Sequence, residues 1–421
     1  MNDAEVLNAT LARELPAAFR CLSPLGRRAV FPKGIPFQAG QAKQATINAT
    51  IGQITDGAGQ PLALERTQSL VTSLDARRSF LYSPIDGPGE LNAAWQARQK
   101  ALGGASVVTS LPLVTHGLTH AISLLSDLFV DDDTDVVLPT PYWENYDLLF
   151  GFRSRPRFVR YSAFRDERFN VEGLADALAS VRNKAMVVLN FPGNPTGYQP
   201  TPEEAARMAE VLHAHPGPAV VVTDDAYQGW VYAEGRHRRS LFWDIAEGAD
   251  LDRLLPVKVD GATKELVFFA SRVGFVSHVS GGEAADTALR SKLKCVVRGT
   301  VGSASGPALA MVAETLADPG LDQAFEARRQ VMAGRWQALR EALAAVPPDR
   351  GVVRPFHGAF FGLISLADEL KADALRRQLL AEHSVGTIAF PEVNALRVAF
   401  CSIDEARLPE VGTALTAVLT R

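Results

Sequence analysis

The sequence predicts an α/β fold: a doubly wound, mostly parallel sheet that carries the chemistry, with a smaller α+β domain beside it. Two observations lead there. First, short apolar runs alternate with longer helical patterns through the middle of the chain. Val136-Val137-Leu138, Ala185 to Leu189, Ala219 to Val222 and Val273 to Val276 read as buried strands. Strands that are apolar on both faces and separated by helices indicate a parallel sheet covered on both sides. Second, three of these runs lead straight into residues with chemical potential: Pro139-Thr140-Pro141-Tyr142-Trp143, Asn190 to Gly197, and Asp224-Asp225-Ala226-Tyr227. Ligands of open α/β sheets bind beyond the carboxyl ends of the strands, so this edge is the predicted site.

The other elements follow in order. The first sixty residues hold several glycines and prolines and no long period, and are expected to dock onto the second domain. Pro202 to His213 places apolar residues at helical spacing with Glu203 and Glu204 in the first turn, a helix with a marked start. After Gly306 a helical pattern runs through Ala308, Leu309 and Val312, breaks at Pro319-Gly320 and resumes toward Leu343. Strand-like segments then appear at Phe360 to Ile364 and Leu396 to Phe400. The predicted division is a large domain over 63–305, and a small domain made of 1–62 and 306–421.

Composition narrows the function classes. The 421 residues are 47% hydrophobic and 21% charged with a formal net charge of −4, which argues against a nucleic-acid partner. The longest apolar runs are far too short to span a bilayer, and the start Met-Asn-Asp-Ala-Glu-Val lacks the features of a secretory signal. Cys21, Cys295 and Cys401 lie far apart without metal-ligand spacing and fit a reducing cytoplasm. His213 and His215 read as a helix end, not a metal pair. There is no low-complexity tract and no internal repeat.

The chemistry concentrates in three strings. In Asn190-Phe191-Pro192-Gly193-Asn194-Pro195-Thr196-Gly197, two prolines and two glycines after a buried strand force an extended turn that holds the Asn194 amide in one orientation. Asp224, at the end of another buried strand, needs a cationic partner, and a protonated ring nitrogen would serve. Lys264 and Arg272 lie eight residues apart, offering one amine able to bond an aldehyde and one permanent cation able to hold a phosphate.

Together these motifs resemble those of the fold-type I pyridoxal-phosphate enzymes, specifically the class I/II aminotransferases of the aspartate, aromatic and alanine type, and the match extends from Ile47 to Phe400. The resemblance implies an aspartate-aminotransferase-like fold and pyridoxal 5′-phosphate as cofactor. By it, Lys264 bonds the cofactor covalently and shuttles a proton at the substrate α-carbon. Asp224 pairs with the pyridine nitrogen, Tyr227 and Asn194 hydrogen-bond the phenolic oxygen, and Trp143 stacks on the ring. Gly117, Leu118 and Thr119 cradle the phosphate at a helix start, with Arg272 as the charged clamp. Two departures stand out: Leu118 occupies a position where a small residue is usual, and Gly261 lacks a hydroxyl that many relatives use on the phosphate. Thr263 or Ser271 would compensate.

The resemblance further implies that Arg397 grips the substrate α-carboxylate, a task suited to a planar guanidinium, and that Gly52 closes over the substrate. Tyr82 matches a tyrosine that reaches the phosphate of a neighbouring subunit, which implies a homodimer with shared active sites. Arg298, thirty-four residues after Lys264, lies near the offset at which dicarboxylate-selective relatives place a second arginine, although Gly299 to Ser303 depart from the usual sequence. Phe360 and Phe361 either line a pocket for aromatic substrates or fill the small domain's core. The expected activity is ping-pong transfer of an amino group from an L-amino acid to a 2-oxo acid. A lyase, decarboxylase or synthase with the same cofactor is the alternative. A regulator that fuses a DNA-binding domain to this fold is disfavoured, because the motifs begin near Ile47.

Overall fold

The computed structural model describes residues 3–31, 34–103 and 106–420. Seven strands form the main sheet: β1 (Leu113–Thr115), β2 (Thr134–Thr140), β3 (Arg157–Ser162), β4 (Lys184–Leu189), β5 (Ala219–Asp224), β6 (Leu254–Gly261) and β7 (Gly274–His278). Their order across the sheet is β1-β7-β6-β5-β4-β2-β3. Residue parity explains the double winding. Val137, Val187, Leu189 and Val221 face one side and pack with Leu174, Met208 and Leu212. Val136, Leu138, Met186, Val188 and Val222 face the other side, against Ile122, Leu125, Leu293 and Val297. Successive residues of a strand point to opposite faces, so a continuous apolar run demands helices on both.

The helix Pro202–Ala214 carries a full capping box, with Thr201 Oγ1 accepting from the Glu204 N–H and Glu204 accepting from the Thr201 N–H. One strand departs from the sequence reading. The run near Val273, taken there as one more strand of the parallel set, runs antiparallel to both of its neighbours, β6 and β1. The chain between β6 and β7 is spent on the short helix Ala262–Glu265 and the turn Phe269–Ser271, with no crossover helix to reverse its direction.

A second sheet of four antiparallel strands follows the order Gly351–Val353, Phe361–Leu366, Ala395–Ala399, Ile388–Phe390. The helices Leu321–Leu343 and Leu408–Leu419 pack together beside it. The segment Ile47–Asn48 pairs in parallel with Val385–Gly386, and the Ala399 N–H donates to the Ala49 carbonyl. The helix Gly306–Leu316 lies against Glu65–Ser69, Ala76–Phe80 and Gly89–Ala101. The carboxyl ends of β2, β4 and β5, three adjacent strands, open toward the four-stranded sheet.

Candidate active site

A cavity of about 380 Å³ lies at that edge. Gly52, Leu118, Thr119, Trp143, Asn194, Asp224, Tyr227, Lys264, Arg272 and Arg397 all line it. Each arrives by a separate local device. Asp224 is the last residue of β5, and Lys264 sits in the one-turn helix directly after β6. Trp143 follows β2, and Asn194 sits in the turn after β4. Arg397 is in the middle of a buried strand of the second sheet.

One end of the cavity is built to receive an anion. Gly117, at φ +80°, begins the helix Leu118–Phe129, so backbone N–H groups and the positive end of the helix dipole face the cavity. A Cβ on Gly117 would lie 2.6 Å from Arg272 Nη2, so only glycine lets the guanidinium close over this turn. Arg272 itself takes the left-handed conformation, φ +50°. The Leu118 side chain is buried in the core, which leaves its N–H as the group turned to the site. Gly261 also finds its reason here. A Cβ there would lie 2.5 Å from the Val273 carbonyl and 2.8 Å from Gly274 Cα, so the close approach of β7 excludes a hydroxyl-bearing residue. Of the two candidate substitutes, the buried Thr263 Oγ1 lines the cavity and has no partner among the described residues, whereas Ser271 Oγ accepts from the Val273 N–H. An orphaned hydroxyl, a helix start and a guanidinium without an ion pair among the described residues fit a phosphate.

The middle of the cavity holds the reactive groups. Burial pushes the Lys264 amine down to about 8, with Arg272 acting the same way and Asp224 opposing. Its Nζ stands 5.1 Å from the Tyr227 ring centroid. Burial pushes the Asp224 carboxyl up, while a hydrogen bond from Tyr146 and the charge of Lys264 pull it back. The Tyr146 hydroxyl donates to Asp224 Oδ2 at 2.5 Å, and the Ala226 N–H donates to Oδ1. A carboxylate held on both oxygens at a strand end, facing an amine of depressed pKa, suits a protonated aromatic nitrogen as its partner. Trp143 meets the Tyr146 ring edge-on at 5.5 Å.

At the far end Arg397 is buried, its guanidinium 4.3 Å above the Phe361 ring. It donates through Nη1 to Asn194 Oδ1 at 2.9 Å and through Nη2 to the Thr50 carbonyl at 2.7 Å. Its Nε is buried without a partner among the described residues, and burial pushes its pKa down to about 10. The Asn194 oxygen is thus taken by Arg397, leaving its NH₂ as a donor. The residues at both ends therefore fit pyridoxal 5′-phosphate plus a substrate carboxylate.

Two residues singled out by the sequence are elsewhere. Tyr82 is fully exposed, next to the exposed Phe80 and Leu81. Arg298 is exposed in the last turn of the helix Glu283–Thr300 and does not line the cavity of its own chain. Phe361 lines the cavity, whereas Phe360 packs between Tyr227 and Trp230.

The structure also adds residues. Tyr146 lies three positions after Trp143, in a turn closed by its N–H to the Trp143 carbonyl, and that spacing was the available signal. Asn190, the first residue of its motif, donates to the Asp224 carbonyl at 2.6 Å and accepts from the Asn194 N–H at 2.8 Å, fastening the turns after β4 and β5 together. Ile35 and Ala39, on the short helix Ile35–Gln41, close the cavity from above. Gln38 on that helix exchanges two hydrogen bonds with the Ala389 backbone, and Glu144 accepts from the Ile35 N–H. Nothing in the local sequence announced this roof.

Comparison with known proteins gives the same picture. The family described as "Aminotransferase class I and II" matches residues 44–415. An aspartate aminotransferase of Bacillus subtilis is 27% identical over 197 residues, 47% of this chain and 48% of that protein, so the chain spans about half the length of that relative. An aminotransferase of Anaerococcus prevotii superposes with a TM-score of 0.82 at 19% identity, covering 95% of this chain and all of that one (100%). The kynurenine aminotransferase of Pyrococcus horikoshii, solved in complex with PMP, superposes with a TM-score of 0.81 at 16% identity over 96% of this chain and 98% of its own. These two likenesses establish the fold.

Proposed function

The chain belongs to the class I and II aminotransferases, whose cofactor is pyridoxal 5′-phosphate, and on that premise we propose that it transfers amino groups from an L-amino acid to a 2-oxo acid by a ping-pong cycle. The observation that carries this reading is the single cavity that joins Lys264, Asp224 and Arg397. When bound, the cofactor supplies an aldehyde that links to amines and a pyridinium ring that accepts the electron pair left by a departing α-proton.

The chain's own residues do the rest. Gly117, Leu118 and Thr119 hold the phosphate through the helix start, with Arg272 as the charged clamp and Thr263 as the hydroxyl donor. Asp224, steadied by Tyr146, keeps a negative charge for the ring nitrogen. Trp143 covers the ring face, while Tyr227 and the Asn194 NH₂ serve its phenolic oxygen. Arg397 receives the substrate carboxylate, with Gly52 close by. Lys264 Nζ anchors the cofactor and, once released, takes the α-proton and returns it. An amine held at about 8 is partly neutral at physiological pH, as a base must be. The roof of Ile35 and Ala39 excludes water from that proton transfer. The family match does not favour the lyase, decarboxylase or synthase alternative.

The free wall of the cavity, made by Ile35, Ala39, Ile51 and Phe361, is apolar and supports an aromatic or aliphatic side chain on the substrate. A dicarboxylate would be read here if Arg298 reached this wall from a second copy. The exposed run Phe80-Leu81-Tyr82 supports a homodimer in which a second copy covers it and Tyr82 reaches the other subunit's phosphate. The two domains are taken as 63–305, and 1–62 with 306–421. No helix among the described residues is long and apolar enough to cross a membrane. We place the enzyme in the cytoplasm, a reading supported by three unpaired cysteines.

The test is spectroscopic. An amino acid alone should discharge the cofactor's aldehyde-linked absorbance in one turnover, and a 2-oxo acid should restore it. Release of a keto acid over many turnovers without any acceptor would overturn the transaminase reading.

A further inference from the structure

Each of the three side chains assigned to catalysis is followed in the chain by a buried polar residue: Asp224 by Asp225, Tyr227 by Gln228, and Lys264 by Glu265. None of these successors lines the active cavity. They gather instead in one polar cluster behind it, around Lys258 of β6. The Lys258 ammonium, 1% exposed, donates to Gln228 Oε1 at 2.9 Å and to Asp260 Oδ2 at 2.5 Å, and lies 2.8 Å from Asp225 Oδ2. The outer positions of the cluster are fixed as well. Trp95 Nε1 donates to Asp260 Oδ1, the Ser240 hydroxyl donates to Asp225, and Glu265 accepts from Gln99 and Arg98.

A strand buried on both faces has no need of a lysine. Well-packed apolar residues replace buried ion pairs at little or no loss of stability. What this cation does geometrically is join separate pieces of the site. β5 and β6 are neighbours, with Thr223 opposite Lys258 and Asp224 opposite Val259. Asp225 directly follows β5, Gln228 lies in the turn beyond it, and Asp260 is near the end of β6. Those are the pieces of backbone from which Asp224, Tyr227 and Lys264 project. Burial opposes the Lys258 charge, but Asp225 and Asp260 more than offset it and raise its pKa, so the ammonium stays charged across the neutral range.

We propose that Lys258 is a positioning residue for amino transfer: its buried ammonium ties the residues after Asp224 and Tyr227 to the strand that presents Lys264, and so sets the three catalytic side chains relative to one another. The proposal rests on the catalytic reading of those three residues given above.

The variant to make is Lys258→Met/Asp260→Asn with Asp225→Asn added as a third substitution. It removes the ammonium and both carboxylates that face it, and the asparagine oxygens still accept from Trp95 and Ser240. Expected are a ligand-free melting profile near that of wild type, a kcat lower by about a hundredfold for a displacement on the order of 1 Å, and a KM nearly unchanged. The pH at which the bound cofactor's absorbance switches should move by about one unit, as should the pH dependence of Lys264 acylation in the ligand-free protein. A folded triple variant with wild-type kcat overturns the proposal. So does a loss confined to KM, or a lowered melting temperature with Lys264 titrating as before. If the triple variant does not fold, Gln228→Leu cuts one arm of the tie and is read by the same outcomes. A wild-type protein that transfers no amino group would sink the catalytic reading instead, while Lys264 titration in the ligand-free protein would still report on Lys258.

Discussion

The two arginines at opposite ends of the cavity are held in different ways, and the contrast indicates what each end is for. Arg272 is half-buried at the end of a turn, in a left-handed conformation that residues with side chains rarely adopt, and it curls over a glycine. Its end of the cavity is mostly backbone: a helix start, a bare Gly261 and one orphaned hydroxyl. Arg397 is rigid by contrast, fixed in a strand between Leu363 and Ile388, buried, and stacked on Phe361. Two of its nitrogens are committed to Asn194 and Thr50, and the third is left without a partner. An unpaired buried cation is costly, and a carboxylate that arrives and leaves each cycle would relieve the cost each time. A permanently held phosphate does not call for that tension. On the proposed function the first end is a cradle and the second a trap.

That contrast can be broken by experiment. The largest effect is expected from Arg397→Ala, which should lower kcat/KM about a thousandfold, in line with the roughly 4 kcal/mol for truncating one partner of a buried charge pair. Cofactor content of the purified variant should stay at the wild-type level, and loss of cofactor would erase the distinction between the two ends. Arg272→Ala should do the opposite. Cofactor affinity should fall about ten- to a hundredfold, the range for removing a charged hydrogen bond, and saturating cofactor should restore most of kcat. A kcat that stays low at saturation would give Arg272 a part in the chemistry.

The smallest effect concerns pH and the amine between the two arginines. The folded value of Lys264, about 8, lies below its ordinary 10.5. The unfolded chain therefore holds the proton more strongly between those values. Stability of the ligand-free protein should rise as pH increases from about 8 toward 10.5 and level off beyond, through this site. Lys264→Met should flatten that rise in thermal melts. An unchanged slope would mean that the amine is not desolvated in solution.

Much of this was readable from local sequence. The parity of apolar residues in Val136 to Leu138 and Ala185 to Leu189 required helices on both faces, and the strand-end motifs put Asp224 and Asn194 on one edge. The direction of β7 was not readable, because an apolar run has the same pattern in either direction and the short connection after Lys264 decides it. The requirement for glycine at 261 was likewise hidden, since it comes from the β7 backbone passing within van der Waals distance.

By itself, then, the sequence singled out most of the residues that line the cavity and the strand ends that present Trp143, Asn194 and Asp224, since turn residues and hydrophobic period act over a few positions. Only the tertiary structure decided their partners: Tyr146 for Asp224, Asn194 and Thr50 for Arg397, Ile35 for the roof, and Lys258 for the residues behind the site. These contacts join segments far apart in the chain. The physics that selects them, the need to satisfy each buried donor and charge within reach, operates only once packing has brought those groups together.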